Sequence, residues 1–418
     1  MAKVIKFEAN GRLSGKAFHA LDLEEKRRYL ATRGAKEKME LIVSDPDAKR
    51  LAASFEPQEF YWLVKEIGES DAVELLELAS PEQSVFFFDL ETWDGYDFSE
   101  DKACEWLAHF LEGGEARVHQ LLNRLDFEFL QLFLSRELIV GGGIGDQSND
   151  EERLAEYDHT FDGVFMLTFK NPEHSQLIGA FVSMLIKLDN PLYTALMEGI
   201  KGDVDLELEE SCLRFRTGRL EDLGFPPFEE AISIYARVNP ANFQLEGDKD
   251  LSLSAEEGAV IPLPPQDETL FFRALGIAER PALVQELNYL VNSALVAEGE
   301  AMRDPEAMGD IARRTCGYLN IALESLCGTD ETKAAGILRN EHLKHLFQLG
   351  FSIVYQLHFE AEKIKATDPA TEKLLEGILA RRPRYYRALD PDAVDAYREF
   401  RDLGDVKRAA DLLAELAG

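Results

Sequence analysis

The chain has 418 residues and a formal net charge of −33, from 45 Lys and Arg against 78 Asp and Glu. Such a surface repels phosphate backbones and anionic lipid, so it disfavours bulk nucleic-acid and membrane binding, a local basic patch aside, and favours solubility and basic or cationic partners. Apolar residues at 45% and aromatics at 10% describe a folding chain, long enough for two or three domains.

The start, "MAKVIKFEANGRLSGKAF", has no apolar core followed by a small-residue cleavage site, and no run of about 18 apolar residues occurs anywhere; a cytoplasmic protein is expected. Gly11, Gly15 and Lys16 mimic a phosphate loop. The motif needs one more residue and a hydroxyl where Ala17 stands, so a terminus leading into a helix is the reading taken.

Short punctuated helices follow. "SFEPQEFYWLVKEIG" offers Ser54 as a cap, Pro57 in the first turn and Gly68 as the stop. "SPEQSVFFFDL" places Ser80 before Pro81 with Gln83 in the capping-box position, and Ser99 starts "SEDKACEWLAHFLEGG". "ARVHQLLNRLDFEFLQLFLSREL" reads as one longer helix. Helices of two or three turns are marginal alone, which implies that residues 1–140 stack as helical hairpins in a superhelix-like domain.

"ELIVGGGIGDQSNDEER" then poses a choice between a nucleotide-binding turn and a joint in the chain. Gly141 and Gly143 fit G-x-G-x-x-G, but Asp146 holds the third position and Asp150, Glu151 and Glu152 follow, where a pyrophosphate needs a bare helix N-terminus. The element before the glycines also reads as a helix. No cofactor is assigned, and residues 141–158 are read as an acidic Gly-rich linker.

Residues 159–239 read as a small α+β domain. "HTFDGVFMLTFK" and "DVDLELEESCLRFRTGRL" carry the β-rich or alternating pattern of strands, with helices between them at "SQLIGAFVSMLIKL" and "NPLYTALMEGI". Residues 240–269, with Pro240, Pro262, Pro264 and Pro265, read as a second linker. Residues 270–418 read as a helical bundle, with Leu343, Leu346, Phe347, Gly350, Val354 and Leu357 as one core stripe. The expected fold class is therefore mainly α: an N-terminal stack of short helical hairpins, a small α+β middle domain and a C-terminal helical bundle.

Candidate chemistry is sparse. Cys104, Cys212, Cys316 and Cys327 form no C-x-x-C pair, so reduced, mostly buried thiols are expected. Glu341, His342 and His345 lie close on one helical face, but without an H-E-x-x-H order; solvated polar residues are the preferred reading and no metal is assigned. Arg214, Arg216 and Arg219, with Asp222 nearby and Tyr235 beyond the turn, form a weak anion-binding candidate. Internal pairing with Glu207, Glu209 and Glu210 is the simpler alternative. "ARRPRYYRALD" gathers Arg381, Arg382, Arg384 and Arg387 around Tyr385 and Tyr386, the most nucleic-acid-like feature, for which a turn paired to an acidic surface is again simpler. Asn288 with Asn292, and Asn320 with Glu324, predict inter-helix hydrogen bonds. No Ser-His-Asp set or G-x-S-x-G is found, so no catalytic residue is assigned.

"SPEQSVFFFDLETWDGYDFSEDKACEWLAHFLEGGE", "TFDGVFMLTF" and "RFRTGRLEDLGFPPFEEAISIY" resemble an uncharacterised bacterial family, mainly deltaproteobacterial, that is known as a domain of unknown function. The resemblance spans most of the chain and implies no activity or cofactor. Residues 50–140 are also loosely similar to the cytosolic superhelical domain of magnesium transporters and to the related flagellar switch protein, a likeness of fold alone. The reading that results is a non-enzymatic helical scaffold for protein interaction; the alternative is a small-anion sensor or enzyme built on the Arg-rich strand and turn.

Overall fold

Capping dictates much of the N-terminal half. In the computed structural model, which describes residues 13, 15–143, 157–201, 206–247, 249, 269–278, 281–299, 303–366 and 368–417, Ser80 accepts from the Gln83 N–H while Gln83 answers the Ser80 backbone. Ser99 caps Glu100–Glu112 by accepting from the Lys102 N–H. The helix Pro57–Ile67 is capped instead by Glu56, while Ser54 closes the preceding helix, Ala48–Ala53, by donating to Leu51 O. Gln83 also donates to Ala52 O and Phe55 O, at 2.9 and 2.7 Å, tying its helix to the end of Ala48–Ala53 and the residues after it.

The chain divides into two compact units, Met1–Arg219 and Leu220–Gly418, both mainly helical with small two-stranded sheets. The first is built around Pro81–Glu91, a helix buried on every side from Gln83 to Glu91. Its Phe87 lies 4.7 Å from Trp106 and 5.1 Å from Tyr61, and Phe88 stacks on Phe110 at 5.4 Å. Aromatic rings packed at these offsets add to the area they bury.

Three expected elements differ. The long helix from Ala116 is two helices, Glu115–Leu122 and Phe127–Glu137. The residues before the glycines are a strand, Leu138–Gly142, paired antiparallel with Phe165–Phe169 in the register Ile139↔Thr168 and Gly141↔Met166. The Arg-rich segment is not a strand either: residues Leu206–Asp222 form one helix, whose Cys212, Arg216 and Leu220 face inward at a four-residue spacing.

The glycines of 141–143 serve backbone packing. A Cβ on Gly141 would stand 2.3 Å from the Tyr157 ring, and Gly142 and Gly143 have φ of 74° and 117°, a region that L side chains rarely adopt. Asp146 and the acids that follow it lie outside the described residues, as does most of the expected linker 240–269.

In the second unit, Pro305–Cys327 and Leu343–Ala361 approach closely. A Cβ on Gly350 would fall 1.9 Å from Tyr318 O, so only glycine fits. The expected stripe from Leu343 to Leu357 is buried throughout. Its helix begins later than expected, because Glu341 and His342 separate it from Glu331–Asn340 and His342 is extended, with φ −66° and ψ 132°. Asn320 ties three segments: its Oδ1 accepts from Phe271 N, and its Nδ2 donates to Glu324 and to Arg401 O. Asn292 donates to Gly224 O.

Candidate functional site: an arginine-lined cavity

The hairpin Tyr385–Tyr386 with Tyr397–Arg398 and the residues that follow it carry most of the charged chemistry of the second unit. Arg398 lies over the Tyr385 ring at 3.9 Å and forks onto Asp390 at 2.8 and 2.9 Å, with Asp405 as a further partner. Burial pulls its guanidinium down, but Asp405 and Asp390 outweigh it and hold it above the ordinary arginine value; Arg398 in turn holds the Asp390 carboxyl low. Behind it, Arg314 grips Glu399 at 2.7 and 3.2 Å, both nearly out of solvent, and reaches the half-buried Glu298 at 2.5 Å. A buried charge requires this degree of pairing.

In front of the network lies a cavity of about 240 Å³, whose wall includes Arg313, Arg387, Arg398 and Arg401 against two carboxylates, Asp310 and Glu399. Arg313 pairs with Asp310 at 2.5 Å and Arg387 with Asp392 at 2.6 Å. Arg401 differs. Its backbone is pinned, the N–H donating to Asp405 and the carbonyl accepting from Asn320, while its side chain is exposed and, among the described residues, pairs with no carboxylate. Convergent guanidiniums on a fixed backbone are suited to an oxyanion, which each can bind through two parallel hydrogen bonds.

The residues singled out from sequence are distributed differently. Arg216 donates to Asp89 O at 2.5 Å, and Arg219 forks onto the Asp89 carboxylate at 2.7 and 2.8 Å and reaches Asp126. Arg219 thus pairs with Asp89 and Asp126 rather than with Glu207, Glu209 or Glu210, and Glu209 pairs with Arg136 at 2.5 Å. Arg214 and Asp222 are exposed. Tyr235 belongs to the second unit, where its hydroxyl donates to Glu298 at 2.9 Å and Arg382 stacks on its ring at 3.6 Å. Burial, with Glu298 adding, pushes the Tyr235 phenol up to about 12.

Tyr385 and Tyr386 are buried, so they offer no stacking surface to bases. Of the arginines in that stretch, Arg387 reaches the cavity wall. Glu341 and His345 meet at 3.0 Å, with Glu246 at 3.3 Å from the same imidazole nitrogen, whereas His342 faces Glu286. The other Glu341 oxygen accepts the Glu246 N–H at 2.7 Å, so this carboxylate clamps a loop. Sequence reasoning missed Arg313, Arg398 and Arg401. Arg313 is far in the chain from Arg398 and Arg401, and the one signal that could have found them was arginine surplus in the acidic last third.

These features define a class: a mainly helical protein of two units held by buried arginine–carboxylate networks, with no helix among the described residues long and apolar enough to cross a membrane. The chain belongs to the family of unknown function DUF6178, which it matches over residues 15–418. No curated protein and no solved structure matches it, so the transporter-like reading of residues 50–140 rests on helix punctuation alone.

Proposed function

We propose that the second unit binds a small phosphate- or carboxylate-bearing ligand in the arginine-lined cavity. The observation that carries this reading is the convergence of four arginines on about 240 Å³ of space in a chain of net charge −33. The wall sets these four guanidiniums against two carboxylates, and Arg401, which pairs with no carboxylate among the described residues, is the one left to meet an anion. The volume suits a ligand of metabolite size rather than a polymer. Calorimetric titration with inorganic phosphate, pyrophosphate and citrate tests it. Saturable binding that is weakened at least tenfold in both Arg401→Ala and Arg387→Ala supports it; no heat from any of the three anions removes it.

A second reading, a scaffold for protein partners, is favoured by large apolar side chains left exposed on the first unit, among them Tyr96 at 60%, Ile139 at 48% and Val164 at 41%. Such residues are ordinary singly and informative where they gather. Affinity capture with wild-type protein and with a Tyr96→Ser, Ile139→Thr, Val164→Thr variant checks it: a partner retained by one and lost by the other is the expected result. The four cysteines are free thiols, which fits the reducing, cytoplasmic setting of both readings.

A further inference from the structure

The first unit holds a cluster that neither reading uses. Cys104 on Glu100–Glu112, Glu137 at the end of Phe127–Glu137 and His174 just before Ser175–Leu188 bring a sulfur, a carboxylate oxygen and an imidazole nitrogen within 4.8 Å of one another. We propose that these three side chains bind a divalent transition metal of the zinc type.

Three observations support the site. The donor set comes first: a thiolate and an imidazole select zinc-like ions over magnesium and calcium, and one carboxylate completes a three-ligand set that leaves a fourth position for water. Charge is the second. Glu137 is buried, with its side chain 3% exposed, and among the described residues its ion-pair partner is His174 rather than any lysine or arginine. A buried carboxylate is costly without a cation beside it.

The third is the orientation of His174. Its Nε2 lies 3.6 Å from Asp101, which precedes Cys104 by three residues on the same helix face, and its Nδ1 lies 3.0 Å from Glu137 and 3.1 Å from Asn171 Nδ2. With the ring hydrogen on Nδ1, His174 donates to Glu137; with it on Nε2, the Nδ1 lone pair and the Glu137 oxygen, 3.0 Å apart, both turn to one cation, which takes the place of that hydrogen.

Cobalt(II) titration of the metal-free full-length protein is the test. One equivalent of ion should produce a thiolate-to-cobalt charge-transfer band. The band should disappear in Cys104→Ser, persist in Cys212→Ser, and require about 100-fold more cobalt in His174→Gln. A folded wild-type protein that gives no such band, or a band that survives Cys104→Ser, overturns the proposal. X-ray absorption on the zinc-loaded wild type decides independently of any variant: one sulfur among the ligands supports the site, and nitrogen and oxygen alone refute it.

Discussion

The two units employ the same residue for opposite ends. In the first, Arg219 reaches in from Leu206–Asp222 to neutralise the Asp89 carboxylate and Arg216 donates to the Asp89 main-chain carbonyl, on the most deeply buried helix of that unit. In the second, Arg314 plays that part for Glu399 and Glu298, while Arg313, Arg387 and Arg401 keep their guanidiniums at the wall of a cavity. What separates a structural arginine from an available one is therefore the burial of the carboxylate it meets. Glu399 and Asp89 have side chains 3% and 4% exposed, whereas Asp392, the partner of Arg387, is 53% exposed.

Removal of a structural arginine should produce the largest loss. Arg314→Ala leaves two carboxylates behind, one of them nearly dry, and should cost about 3–5 kcal/mol in urea unfolding. A loss below about 1 kcal/mol would mean that water reaches Glu399 and that the inner network is not closed. Arg219→Ala should cost less, about 2–3 kcal/mol, because its side chain is 31% exposed and water partly replaces it. Burial pulls the Arg219 guanidinium down, but Asp89 and Asp126 outweigh it, so the arginine is charged in the pair. Asp89→Asn in the same chain should then restore most of the loss; if the double variant is no better than the single one, Asp89 is not what Arg219 serves.

A smaller effect belongs to the caps. Ser80→Ala should cost about 1 kcal/mol, since it releases the Gln83 N–H at the start of the central helix of the first unit. Gln83→Ala in the same assay should cost more, because Gln83 also donates to Ala52 O and Phe55 O. Equal losses would show that the bridge between the two helices contributes nothing.

What was readable in the sequence follows the range of the interaction involved. The Ser80 and Ser99 caps and the stripe from Leu343 to Leu357 are local patterns, and the structure has them where the sequence places them. Leu206–Asp222 was misread as a strand for a specific reason. Its buried stripe of Cys212, Arg216 and Leu220 contains an arginine, so the four-residue period is hidden from any reading that expects apolar residues inside, and the alternation of Leu206 and Leu208 with acids is what shows. The strand Leu138–Gly142 follows a helix without a break, and its partner, Phe165–Phe169, begins more than 20 residues later; only the pairing makes it a strand. The cavity is less legible still. Its arginines lie between positions 313 and 401, and only Arg387 falls in a stretch that charge and aromatics mark out.

Arg401 gives the comparison its finest test, because there the two uses of arginine predict different outcomes for one substitution. Its backbone is held by Asp405 and Asn320 whatever side chain it carries, and the guanidinium supports no buried carboxylate. Arg401→Ala should therefore change unfolding stability by no more than about 0.5 kcal/mol. In the presence of excess phosphate, the wild type should gain thermal stability in proportion to ligand bound, and the variant should gain much less. The gain should also fall as sodium chloride rises, since a charged ligand at a half-open site is screened. A variant that is destabilised without ligand places Arg401 among the structural arginines. A variant that responds to phosphate as fully as the wild type shows that the anion, if bound, sits elsewhere on the protein.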